Sequence, residues 1–189
     1  MSTAAARVRL SGSIIRANTD KTMKNYIVNF FLKLLGIKIK VIEGRVRTIL
    51  EDVNTGEKEI SEWKENLIVT TGKVAILRRL ANIATISNAG IITYGAVGTG
   101  TATPVVGDTK LGTELDRVPV SIKSIVGSII TLQAYFTTAE GNGDLTEFGW
   151  FGEDATNSAD SGTMFNRILI SKTKTAAKTL TIEQTFEYA

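Results

Sequence analysis

The sequence predicts a mainly β protein: an antiparallel β-sandwich with one principal helix at about residues 72–82 and an N-terminal arm carrying a short amphipathic helix. Three observations point there. After Ile91 the chain becomes short β-type runs between Gly/Thr/Asp turns. Such spacing belongs to antiparallel sheets rather than to βαβ units. Helical periodicity is confined to two short stretches, near residues 25–35 and 73–83. Finally, 189 residues with 43% hydrophobic and 22% charged side chains is ordinary globular composition for one domain. A domain of this size buries roughly 70% of its unfolded surface and needs no metal or disulfide to hold a core.

The first element is an arm, residues 1–43, ahead of a body at 44–189. Its first 25 residues are small, polar and basic. From Asn25 to Leu35 the apolar residues Tyr26, Ile27, Phe30, Phe31, Leu34 and Leu35 fall on one helical face, and Gly36 follows where a helix would stop. Tyr26, Phe30, Phe31, Leu34 and Leu35 are the candidate oligomer or partner interface; the alternative is that they complete the chain's own core. Ile37, Ile39 and Val41 then alternate with Lys38 and Lys40. Asn29, Lys33, Lys38 and Lys40 interrupt the apolar run 26–42, whereas a membrane span needs about 20 mostly apolar residues, so no span is expected. No apolar region follows Met1–Arg7, so no secretory signal is expected either.

Next, Asn54-Thr55-Gly56-Glu57 joins Arg45–Val53 to Lys58–Lys64 as a β-hairpin, with charge on one face suited to a sheet edge. In the helix that follows, Val74, Ile76, Leu77 and Leu80 mark one side, and Thr70 or Thr71 is placed to cap it. Six strands are then expected: Ile91–Val97, Arg117–Ser124, Ser128–Thr137, Leu145–Phe151, Phe165–Ser171 and Thr179–Tyr188. The last is two-faced, with Gln184 interrupting its apolar side.

The residue inventory excludes much chemistry. There is no Cys and no His. That removes disulfides, thiolate nucleophiles, the Ser-His-Asp triad and the usual zinc ligands. Gly98-Thr99-Gly100 follows a strand, but Thr103 stands where a dinucleotide fingerprint needs its third Gly, and Pro104 disfavours the required helix. The stretch reads as a strand ending in a tight turn. Acids cluster at Asp108, Glu114 and Asp116 and again at Glu140, Asp144, Glu147, Glu153, Asp154 and Asp160. Without an EF-hand pattern they read as solvated turns that lock strands, not as calcium ligands. No catalytic residue, metal or cofactor is expected. Residues 1–50 carry ten basic against two acidic side chains, while residues 81–189 carry seven against eleven. A basic end and an acidic body suit self-assembly as well as they suit nucleic acid. Arg78-Arg79 and the arm lack the aromatic spacing of a base-stacking surface, so nucleic-acid recognition is the weaker reading.

Three segments, in order, carry a resemblance. Asn66-Leu67-Ile68-Val69-Thr70-Thr71-Gly72 opens the helix. Thr93-Tyr94-Gly95-Ala96-Val97-Gly98-Thr99-Gly100-Thr101 leads to Gly107-Asp108-Thr109-Lys110-Leu111-Gly112-Thr113-Glu114 and Arg117. Leu145-Thr146-Glu147-Phe148-Gly149-Trp150-Phe151-Gly152 precedes Gly162–Arg167 and Lys178–Ile182. Over residues 44–189 this resembles small structural proteins of tailed bacteriophages, described as tail or tail-fibre-associated. The resemblance implies a non-enzymatic virion building block, assembled in the host cytoplasm, without fixing its place in the particle; the tail or neck is the expected site. The expected partners are the chain itself, as a trimer or hexamer held by the arm's apolar face and the opposite charge of the body, and other virion proteins. The resemblance also implies that Gly98, Gly100, Asp108, Leu111-Gly112, Arg117 and Gly149 are fold-defining turns and salt links. The alternatives are a capsid decoration protein and a host-receptor or glycan-binding module using loop 154–162.

Overall fold

The computed structural model describes residues 43–83, 86 and 88–187. The arm and its amphipathic face lie outside the described residues, as does Tyr188. The described chain is mainly β with one helix. Its elements in order are β1 (Glu43–Asp52), β2 (Lys58–Ile60), β3 (Lys64–Glu65), β4 (Leu67–Ile68), α1 (Thr70–Leu80), β5 (Ile92–Gly98), β6 (Glu114–Val126), β7 (Ile129–Phe136), β8 (Gly143–Gly152), β9 (Thr163–Lys174) and β10 (Lys178–Glu187). All six strands expected after Ile91 are present, each within three residues of its expected start.

The strands form one continuous antiparallel sheet, ordered β2-β1-β10-β7-β6-β5-β8-β9-β4 with β3 beside β1, and the sheet curls into a half-barrel. The corner is in β6. Its first part, Glu114–Pro119, pairs with β5, and its second part, Val120–Val126, pairs with β7. Pro119 stands at the switch, where a residue with no N–H costs the ladder least, and a register shift between Val120 and Ile122 bends the strand further. One limb is therefore β2-β1-β10-β7 and the other is β5-β8-β9-β4.

Period-two alternation puts one face of each limb into a shared core. Val46 and Leu50, Leu180 and Ile182, and Leu132, Ala134 and Phe136 come from the first limb; Val97, Phe148, Trp150, Ile168 and Ile170 come from the second. Phe148 and Trp150 meet edge to face, ring centroids 5.0 Å apart. Burying Phe136, Phe148 and Phe151 completely stabilises the fold by about 1.5–3 kcal/mol each, before ordering entropy. Gln184, on the apolar face of β10, is also fully buried, and it accepts a 2.6 Å hydrogen bond from Asn166 Nδ2 on the opposite limb. Asn166 Oδ1 in turn accepts from the backbone N–H of Trp150 at 2.9 Å.

The hairpin turn forms at its expected place. Asp52 Oδ1 accepts from the Asn54 and Thr55 N–H groups, and Gly56 adopts φ +71, a conformation open to glycine. β2 is an edge strand, but β1 lies inside the sheet between β2 and β10.

The helix differs from expectation in two respects. Val69, whose side chain has no acceptor, occupies the cap position, and the Thr71 hydroxyl, inside the helix, donates to Met164 O at 2.7 Å and ties the helix to β9. The side facing the sheet is Gly72, Ala75 and Ile76, while Val74, Leu77 and Leu80 are exposed. Close approach explains this. A Cβ on Gly72 would lie 2.1 Å from Phe165 O, so the helix backbone rests directly on β9 and leaves no room for large side chains between them.

Candidate functional site

The outer face of the second limb carries a small second core, Val69, Ala96, Leu111, Phe151 and Met164. Two loops lie over it, and each is held down by a buried ion pair. These pairs gather the residues that the sequence singles out.

The first hub is Glu147, on β8, with no exposed surface. Loop 99–113 folds over it. Its Oε1 accepts from the Gly100 and Thr113 N–H groups, both at 2.8 Å, and its Oε2 accepts from the Gly112 N–H at 2.9 Å. Arg167, on β9 and diagonal to Glu147 across the ladder, donates Nε–H to the same Oε2 at 2.8 Å. Its second nitrogen, Nη2, is equally near Oε2 but out of line for a hydrogen bond. Arg167 Nη1 then donates to Asp108 Oδ2 at 2.9 Å, and that oxygen also accepts from the Val105 N–H at 3.0 Å. Burial resists ionisation of Glu147, yet three backbone donors and Arg167 outweigh it and hold the carboxyl below the usual glutamate range. Arg167, although buried, is kept charged by Asp108 and Glu147.

This geometry explains Gly98-Thr99-Gly100. A Cβ on Gly100 would fall 2.3 Å from Glu147 Oε1; one on Gly98 would fall 2.3 Å from Thr113 O and 2.7 Å from Oε1. The loop is an anion-binding arrangement of backbone N–H groups, and the anion it binds is the protein's own side chain.

The second hub is Arg117, on β6. Nε and Nη2 donate to the two oxygens of Glu114 at 2.5 and 2.7 Å, a bidentate pair with both side chains buried. Nη1 donates to Thr156 O at 3.1 Å and Ser161 O at 3.0 Å. The guanidinium also lies 4.7 Å from the centre of the Phe151 ring. Loop 153–162 is thereby drawn onto the sheet.

The third hub is Glu153, fully buried at φ +60. It accepts from Arg78 Nη1 on α1, from the Gly90 N–H and from the Thr163 hydroxyl, the last at 2.6 Å. Lys174, also buried, donates to Thr137 O at 2.7 Å and Asn142 Oδ1 at 2.9 Å, holding the β7–β8 turn. Burial pulls its pKa down, against Glu140 and Asp116 nearby.

Several sequence expectations can now be placed. Gly98, Gly100, Asp108, Leu111, Gly112 and Arg117 are turns and salt links around these hubs, and Gly149 lets Asn166 O and Leu111 approach β8. The acids need correction: Glu114, Glu147 and Glu153 are not solvated turn residues but buried anchors, each facing an arginine distant in the chain or three residues away. Sequence spacing carries no sign of the Glu147–Arg167 and Glu153–Arg78 pairs, because neither is local. Among the described residues no group of three or more carboxylates could hold a metal ion, and no helix is long and apolar enough to cross a membrane. An open cleft of about 390 Å³ beside Leu67, Pro104 and Ile168 has Arg167 on its wall, already paired with Glu147 and Asp108. Tyr26, Phe30, Phe31, Leu34 and Leu35 lie outside the described residues.

What the sequence reading missed is apolar surface on the outside. The β6–β7 hairpin ends in Ile125, Val126, Ile129 and Ile130, all exposed, and α1 exposes Val74, Leu77 and Leu80. The signal for the hairpin was present: Ile125-Val126-Gly127-Ser128-Ile129-Ile130 puts apolar residues on both faces of a turn. Comparison with known protein families, with curated proteins and with solved structures finds no match to this chain.

Proposed function

We propose that this chain is a non-enzymatic assembly protein of a tailed-bacteriophage particle, a component of the tail or neck held in place by contacts between its own copies and with other virion proteins. The observation that carries the reading is the distribution of polar and apolar groups. The buried glutamates and arginines pair with each other and fasten loops to the sheet, while two apolar patches, at the β6–β7 hairpin and on α1, face outward. A surface of that kind fits association better than turnover. The resemblance of residues 44–189 to phage structural proteins supports the virion setting. On this reading the two limbs act as a sandwich closed at the β6 corner, and residues 1–43 are the arm that reaches a neighbour.

The test is sedimentation of the purified full-length chain across a concentration series, together with an assay for ester, glycan and peptide hydrolysis. Reversible or stable oligomers without turnover support the proposal. A monomer at all concentrations, or turnover abolished by replacing one carboxylate, counts against it.

A further inference from the structure

We infer that the apolar end of the β6–β7 hairpin is the seat for the apolar face of residues 26–35 from a second copy of this chain; this rests on the self-assembly reading above. The core face of β7 becomes exposed toward the hairpin tip. Along it Phe136 and Leu132 are 0% and 4% exposed, Ile130 is 40% exposed, and Ile125, paired with Ile130, is 72% exposed. Phe186, paired with Ile130 from β10, widens the same ledge and is only partly buried. On the other face Val126 and Ile129 are also exposed. A hairpin that is apolar on both faces at its tip is unusual for a free surface and is an association hazard unless covered.

The register says where the missing cover comes from. Glu43, the first described residue, is opposite Glu187, and Glu187 is opposite Ile129. Two strand spacings, about 10 Å, therefore separate the start of β1 from the hairpin tip. The 42 residues that precede Glu43 thus join the body at this end of the sheet. They include Tyr26, Ile27, Phe30, Phe31, Leu34 and Leu35, one apolar face matched in kind to the ledge. The seven residues 36–42 alternate Ile37, Ile39 and Val41 with lysines; extended, they span about 23 Å, more than twice the distance to the chain's own tip. That reach is long enough to carry the segment beyond its own subunit to the tip of a neighbour. Charge favours that contact: residues 1–42 carry eight basic side chains against one acidic, and residues 43–189 carry fourteen against eighteen.

The chain has no cysteine, so introduced thiols have no competitor. Full-length I125C and full-length L34C are mixed under mild oxidation and resolved without reductant, with circular dichroism to confirm that both fold. The expected product is a cross-linked heterodimer. In parallel, I125E, altering a side chain that is largely exposed, should weaken self-association by about tenfold without changing the spectrum. An intrachain link in I125C/L34C with no heterodimer in the mixture would overturn the inference, as would a heterodimer of I125C with L80C instead. If the chain oligomerises and neither effect appears, this inference fails and the assembly reading stands; if the wild-type chain is monomeric throughout, both fail.

Discussion

Glu147 fills the space that a side chain on Gly100 would need: its Oε1 lies 2.3 Å from where that Cβ would be and accepts the Gly100 N–H at 2.8 Å. The two residues are 47 positions apart in sequence and on different elements. Their relationship makes the turn at Gly98-Thr99-Gly100 an internal lock, with Arg167 and Asp108 completing it.

Gly100→Ala should therefore destabilise the protein by about 2–4 kcal/mol, since either the buried carboxylate or the loop must move. Gly107→Ala, in the same loop with nothing within 4 Å of the added carbon, should change stability by less than about 0.5 kcal/mol. Urea unfolding of the pair measures the difference. Equal values would show that the lock is not as described.

Glu147→Gln keeps the shape, loses the charge and sets an amide NH2 against backbone donors. A loss of about 3–5 kcal/mol is expected, because Arg167 stays buried with only Asp108. The pH dependence follows from the lowered carboxyl pKa. A carboxylate held below its unfolded value contributes fully above that value and loses its contribution as pH falls through the folded value. Wild-type stability should thus decline below about pH 4.3, and the variant should show a shallower decline. Parallel denaturation series at pH 7 and pH 3 decide it.

How much of this was legible in the sequence follows the range of the interactions. The strands and the turn at Gly56 rest on alternation and on contacts a few residues apart, and they appear where the pattern puts them. The continuous sheet was not legible, because the limbs are joined by one strand that changes partner at Pro119, and nothing in a local window marks the change. The helix face was misread for a related reason. Val74, Leu77 and Leu80 have the periodicity of a buried side, but Gly72 brings the backbone onto β9 and turns Ala75 inward instead. Glu114 and Arg117, three residues apart, could be paired from sequence; Glu147 and Arg167 could not.

Arg117→Lys removes the fork that holds both oxygens of Glu114 while reaching Thr156 and Ser161. Lysine cannot make these bonds together, and a loss of about 1–3 kcal/mol is expected. Limited proteolysis should cut loop 153–162 faster in the variant. Unchanged cleavage there would place the loop's anchor elsewhere.

On α1, Leu80→Lys should leave unfolding free energy within about 0.5 kcal/mol of wild type, as expected for a side chain 78% exposed. Ala75→Leu, at a position with no exposed surface, should cost about 1–3 kcal/mol by over-packing against the core. Thermal melts of the two variants test the assignment of faces, and a large loss in Leu80→Lys would reverse it.

The proposal that this fold serves assembly in a virion is tested most directly by purifying the particles produced from the genome that encodes the chain and solving a density map of them. Tailed particles with several symmetry-related copies in the tail or neck, neighbouring copies touching through the β6–β7 hairpin, are the expected result. Particles that are complete and infectious yet contain no copy of the chain would contradict it.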